Sequence, residues 1–314
     1  MRKFFSHPIV ATSVKLLVST VLLGGLVYYI DGAAVMLSLR NANAFFLSIG
    51  FMLAALQLVV HFYRWRYLLR LISKEITNEE VITSLFVGFM AGFFTPAQLG
   101  EVAGRIASHP TVNKSHVIGI TIIDKLYWAA LTFIIGGTGL LVFASIHFTE
   151  FWHPYYSIIV ICVLVLIGVV YLLPEKVKIL LKRLPEKIRL HRFYEIILVI
   201  ENKFHNNNAR VLFALTALLY AVILSEFYFL AAAFGTVSLA DALMCAASVF
   251  FVKAVILPIS FGDLGVRESA AVFFFEKAGA SAAVAFNASI TMSFANVIVP
   301  TAIGALLVMR LKRK

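Results

Sequence analysis

Residues 92–101 read Gly92-Phe93-Phe94-Thr95-Pro96-Ala97-Gln98-Leu99-Gly100-Glu101, with Arg105 soon after. Residues 257–268 read Leu257-Pro258-Ile259-Ser260-Phe261-Gly262-Asp263-Leu264-Gly265-Val266-Arg267-Glu268. The stretches end two apolar runs, 81–96 and 242–258, and share an order: Pro, then Leu-Gly, then an Arg and a Glu. Proline removes a backbone donor and clashes with the preceding turn, so a membrane helix breaks there. Non-helical backbone at membrane depth is tolerated only inside protein or beside a wet cavity. Paired Gly/Pro-interrupted segments in corresponding positions of two halves point to a transporter's binding site. The plainer alternative is a pair of loops at the membrane surface.

Working outward, the rest of the chain reads as membrane helices. Of 314 residues, 61% are hydrophobic and only 14% charged, against about 25% charged in a soluble domain. Mean hydropathy is +0.93. Six segments, 12–30, 44–62, 122–145, 155–173, 211–233 and 283–309, are each near the ~20 apolar residues that a crossing requires. The expected fold is therefore an all-α polytopic membrane protein, with about six spanning helices plus two re-entrant Pro/Gly-broken segments. Residues 1–314 form one transmembrane domain. A first repeat (12–145) and a second (211–309) are linked by the 155–173 helix and a basic amphipathic segment, 174–210. In that segment Val177, Leu180, Leu181, Leu184 and Ile188 recur at helical spacing among lysines and arginines. The apolar N-terminal run reads as an uncleaved first helix.

The net charge of +11 sits mostly beside apolar spans, which argues against nucleic acid and for the positive-inside rule. Basic stretches occupy the N-terminus, residues 63–74 and 174–210, and the C-terminus, whereas 146–154 and 234–241 contain no Lys or Arg. Both termini are then cytoplasmic, in a bacterial inner membrane. The first broken segment enters from the cytoplasm and the second from outside, which makes the halves inverted repeats. Cys162 and Cys245 lie in apolar runs without metal or redox spacing.

Ionisable groups at membrane depth are costly and therefore functional candidates. They are Glu101, Arg105, Asp124, Lys125, Glu226, Lys253, Asp263, Arg267 and Glu268. Glu101 and Arg105 share a helical face. Arg267 and Glu268 are adjacent, so each is expected to find another partner; an exchange of Arg105 with Glu268 and Arg267 with Glu101 balances all four. Asp124 and Lys125 read as a local pair or as part of the cavity wall. Glu226 reads as a structural pair or a proton-coupling group. Lys253 offers a point charge for a phosphate, or it snorkels to an interface or neutralises a buried carboxylate such as Glu226. No His-Glu-x-x-His, P-loop, Gly-x-Ser-x-Gly or dinucleotide fingerprint occurs. No cofactor or metal is expected, nor an enzymatic activity.

The chain resembles the lysylphosphatidylglycerol synthase transmembrane-domain family, also called the flippase-like domain family. The resemblance rests on Thr95-Pro96-x-x-Leu99-Gly100-Glu101-x-x-x-Arg105, on Asp124-Lys125, and on Pro258-x-Ser260-x-Gly262-x-Leu264-Gly265-x-Arg267-Glu268. Ala97-Gln98 and Asp263 depart from that pattern. The resemblance implies two re-entrant segments meeting near mid-membrane and moving phospholipids or related lipids between leaflets. Because Lys314 follows the last span closely, the soluble aminoacyltransferase domain of the family's synthases is not expected here. The implied partners are membrane lipids, chiefly anionic; a second copy of the chain or a lipid-biosynthesis partner stays open. The expected substrate site comprises Arg105, Lys253, Arg267, Glu101, Glu268 and Asp263, shaped by Pro96, Gly100, Pro258, Ser260, Gly262 and Gly265. The rival readings are a membrane-embedded transferase on lipid-linked substrates and a non-transporting accessory subunit of envelope lipid synthesis.

Overall fold

The computed structural model describes residues 8–95, 98–148, 206–256 and 264–311, and the regular structure there is all helical. Four helical stretches are long and apolar enough to cross a membrane: Ala44–Ile72, Lys114–His147, Asn207–Phe234 and Ala282–Arg310. A fifth arises if Leu17–Ile30 and Gly32–Arg40, bent by 83° at Asp31, count as one span. The protein is thus a multi-pass membrane protein. The expected 155–173 helix lies outside the described residues. So does the basic linker, apart from its last residues, which open the helix that begins at Asn206.

The elements are α1 (Pro8–Ile30), α2 (Gly32–Arg40), α3 (Ala44–Ile72), α4 (Asn78–Phe94), α5 (Leu99–Ala107), α6 (Lys114–Leu131) and α7 (Gly137–His147), followed by α8 (Asn206–Phe234), α9 (Leu239–Val255), α10 (Val266–Lys277), α11 (Ala282–Ser293) and α12 (Val299–Leu311). Starts are set by side-chain caps. Asn43 accepts from the N–H of Phe45 and Phe46, Asn113 from Ser115, and Thr77 and Glu80 close a capping box on α4. The first long span runs past residue 62 to Ile72 because Trp65, Leu68 and Leu69, spaced for one helical face, are buried there. The basic stretch 63–74 is therefore largely helix.

One order occurs twice: a long helix, a 17-residue helix, a break, a short helix, then a long helix carrying a π turn. The first set is α3, α4, α5 and α6–α7 with its π turn at Thr132–Gly136; the second is α8, α9, α10 and α11–α12 with its π turn at Phe294–Ile298. One offset relates Ala44 to Asn206, Thr132 to Phe294, Pro96 to Pro258, Gly100 to Gly262 and Arg105 to Arg267. The recurrence therefore runs without insertion from the first long helix to the π turn.

In the first set α4 folds back antiparallel along α5. A Cβ on Gly104 would lie 2.7 Å from the Val87 carbonyl oxygen, so only glycine allows so close an approach. In the second set α10 packs on α9. The halves then interlock: α3 lies along α8, α4 packs on α12 of the second set, and α9 packs on α7 of the first. The larger apolar core joins α8, α9, α10 and α11, with Phe227 stacked on Phe275. A smaller one gathers Trp65, Leu68, Leu69, Leu85, Ile120 and Leu212.

Candidate functional site

Where the two sets meet, a cavity of about 180 Å³ is lined from both. Its first wall is α5, facing α3 and α6. Glu101 and Arg105, one helical turn apart, pair at 2.5 Å. Arg105 also reaches Asp124 at 3.1 Å, and its guanidinium lies 3.9 Å from the Trp65 ring centroid, a cation–π contact. Trp65 is fixed in turn by a 2.7 Å bond from its indole N–H to Ser84 Oγ. From α3, Arg64 approaches Asp124 at 2.8 Å. Lys125 pairs with the other oxygen of Glu101 and donates to Gln98 Oε1 at 3.2 Å. Each carboxylate therefore has two cations. Taking charges out of water costs several kcal/mol per ion, and such pairing is the arrangement that offsets it.

The second wall is built differently. Glu268 turns back so that Oε2 accepts the Gly265 N–H at 2.7 Å, while Oε1 accepts from Ser293 Oγ at 2.5 Å and Ser289 Oγ at 3.2 Å. Arg267 donates to Ser293 Oγ and to the Ser289 carbonyl, and its Nε lies 3.6 Å from Glu268 Oε1. Glu226, fully buried on α8, accepts from Nδ2 of Asn296 on the second π turn, at 2.9 Å to each oxygen. Lys253, near the end of α9, also lines the cavity.

The expected exchange of partners between the halves does not occur. Arg105 is held by Glu101 and Asp124, because an i, i+4 pair on α5 and the neighbouring α6 lie nearer than α10. Arg267 and Glu268 do not part either. At the first turn of α10 the Glu268 side chain bends back to the helix start, bringing its oxygen beside Arg267. Asp124 and Lys125 serve different partners, Asp124 the two arginines and Lys125 Glu101. Glu226 meets an amide. Gly100 packs against Ala91, and its N–H donates to Thr95 Oγ1 at 2.6 Å, tying the break together. Gly265 caps α10 with φ 92°. Pro96, Pro258, Ser260, Gly262 and Asp263 lie outside the described residues.

The cavity also contains Gln57, His61 and Arg64 of α3, together with Asn296. Counting Arg64 only among the orienting cations overlooks its place. Gln57, His61 and Arg64 sit at i, i+4 and i+7 of α3, a polar stripe that helical periodicity reveals.

These features define a helical multi-pass membrane protein with a buried, charged cavity at the junction of two similar helix sets. The chain belongs to the lysylphosphatidylglycerol synthase TM region family, whose model matches residues 13–304, and it is a membrane protein of lipid-related function. No curated protein matches it.

Proposed function

We propose that the protein moves an anionic phospholipid, or a lipid with a similar headgroup, between the leaflets of a bacterial inner membrane. The observation that carries this reading is the charge of the cavity: among the described residues five cations, Arg64, Arg105, Lys125, Lys253 and Arg267, line it against two carboxylates, Glu101 and Asp124. A headgroup crossing the membrane loses its hydration, and fixed positive charge is what replaces it. Arginine suits phosphate because its planar fork donates two bonds at once, while lysine supplies a compact charge. Acyl chains would stay in the bilayer as the headgroup passes.

In this reading the two helix sets are inverted repeats with cytoplasmic termini. The helix pairs α4–α5 and α9–α10 are re-entrant segments that enter from opposite sides. The recurring element order and the interlocked packing of α4 on α12 and α9 on α7 support it. The protein acts on lipid without changing its covalent structure. The test is purified protein in vesicles carrying a fluorescent anionic phospholipid, with the accessible leaflet quenched chemically. Protein-dependent exchange of unmodified lipid supports the reading. Covalent change of the lipid would indicate a transferase instead, and absence of exchange would overturn transport by this chain alone.

A further inference from the structure

Corresponding positions in the two helix sets differ in one respect that bears on energy coupling. The offset that relates Arg105 to Arg267 also relates Arg64 to Glu226, Asp124 to Phe286 and Lys125 to Asn287. In the first set every buried carboxylate at the cavity is clamped by two cations: Asp124 by Arg64 and Arg105, and Glu101 by Arg105 and Lys125. In the second set the position of Arg64 holds a carboxylate, the position of its partner Asp124 holds Phe286, and the position of the cation Lys125 holds the neutral Asn287. Glu226 is 0% exposed. Both its oxygens accept from the single Nδ2 of Asn296, whose own Oδ1 is buried and has no hydrogen-bond partner. Asn296 itself lines the cavity. Among the described residues Arg267 acts on Glu226, and that guanidinium also serves Ser289, Ser293 and Glu268.

We infer that Glu226 is a proton-binding site that couples lipid movement to the transmembrane proton gradient. The inference rests on the transport reading above. The chemistry is a single protonation. The carboxylate, held by a neutral amide, takes a proton on one oxygen, and the resulting hydroxyl donates to the unpartnered Asn296 Oδ1 once the amide rotates. Both protonation states are thereby hydrogen-bonded, which an ion-paired carboxylate such as Asp124 does not offer. Protonation removes one negative charge from beside Arg267, so the cavity becomes more positive. A headgroup anion and a proton then favour each other's binding, as linkage requires.

Asn296, the partner of Glu226, lines the cavity, and the charged and titratable groups there come from several elements: His61 and Arg64 on α3, Glu101 and Arg105 on α5, Asp124 and Lys125 on α6, Lys253 on α9 and Arg267 on α10, while α11 contributes no ionisable side chain. In the first set both carboxylates are held by cations, and Glu268 accepts from Gly265, Ser289 and Ser293 beside Arg267, whereas the hydrogen-bond partner of Glu226 is a neutral amide.

Two measurements on the full-length protein test this. Infrared difference spectra of wild type, titrated from mildly alkaline to mildly acid pH, are expected to show a carboxylic-acid band that Glu226→Gln abolishes and Glu226→Asp shifts. No such band in wild type would overturn the proton site whatever the transport activity. In vesicles, an imposed pH gradient is expected to speed exchange of the anionic phospholipid several-fold in wild type and Glu226→Asp, but not in Glu226→Gln. Wild-type exchange that ignores the gradient would overturn coupling and leave the transport reading standing. No exchange under either condition would overturn the transport reading, and coupling with it.

Discussion

Arg64 and Asp124 are joined twice: one guanidinium nitrogen lies 2.8 Å from the Asp124 carboxylate and 2.6 Å from its backbone carbonyl. The pair ties α3 to α6 in the interior, with the Arg64 side chain only 3% exposed. Removing Asp124 leaves the Arg64 charge buried without its carboxylate, at a cost of about 3–5 kcal/mol, whereas removing Arg64 leaves Asp124 paired with Arg105. Asp124→Ala is therefore expected to lower the thermal unfolding temperature in detergent sharply, and Arg64→Ala less. The joint replacement Arg64→Met with Asp124→Leu should recover part of that loss. A double replacement no better than the worse single one would show that the pair does more than neutralise itself.

Arg267 is expected to be intolerant even of lysine. Its Nη2 serves both the Ser289 carbonyl and the Ser293 hydroxyl, a divided geometry that an ammonium on a flexible stem does not reproduce. Losing a hydrogen bond to a charged group costs about 1.5–3 kcal/mol, so Arg267→Lys should slow lipid exchange about tenfold. Arg267→Ala and Lys253→Ala should slow it further. The vesicle assay, normalised to folded protein by size-exclusion chromatography, measures this. A purely structural role would make lost activity track lost folded protein, and well-folded Ala variants with wild-type rates would take both residues off the substrate path.

The helical membrane fold and the two breaks were legible because hydropathy and proline act locally: an apolar run of sufficient length and a missing backbone donor announce themselves in the sequence. Individual partners were not legible. Glu101 with Arg105 follows from helical spacing, but Asp124 with Arg64 joins residues on different helices whose approach only packing decides. Interior-helix geometry predicts separate partners for the adjacent Arg267 and Glu268, and it fails at the first turn, where the Glu268 side chain reaches back to the Gly265 N–H. Asn296 was missed because an amide in an apolar run carries no charge to draw attention.

Orientation can be tested from two residues at helix ends. His147 closes α7 and Asn206 opens α8; from the distribution of Lys and Arg, 146–154 is expected outside and 174–210 in the cytoplasm. Single cysteines at these positions, in a background lacking Cys162 and Cys245, should react with a membrane-impermeant maleimide from opposite sides. Reaction of both from the same side would reject the topology.

The start of α4 should give stability a modest acid dependence. The Thr77 backbone N–H, and then its hydroxyl, hold the Glu80 carboxyl below its ordinary value of 4.5. A carboxyl with a lowered folded value stabilises the protein fully above its unfolded value and loses that contribution as pH falls through the folded one. The unfolding temperature of wild type should therefore exceed that of Glu80→Ala at neutral pH, and the difference should shrink as pH falls below 4.5. Thr77→Ala should cost about 1 kcal/mol as a lost cap. A Glu80→Ala difference that does not change with pH would mean the box contributes nothing through charge.

Gly304 tests the interlocking of the halves. It lies on α12 against α4, where an added Cβ would clash with the Phe86 carbonyl oxygen and come within 2.8 Å of Met90 Cβ. Backbone cannot move aside as a side-chain end can, so α12 must withdraw from the first hairpin. Overpacking of this kind costs about 1–3 kcal/mol. Gly304→Ala is accordingly expected to lower the unfolding temperature, and Gly304→Val to lower it more. Gly24, where an added Cβ meets nothing within 4 Å, provides the control. There alanine favours the helix by about 1 kcal/mol over glycine, so Gly24→Ala should be neutral or mildly stabilising. If both alanine variants unfold at the wild-type temperature, the close contact between α4 and α12 is absent in the membrane. If Gly304→Ala alone is destabilised and lipid exchange falls with it, the contact between the halves is part of the transport path's support as well as of the fold.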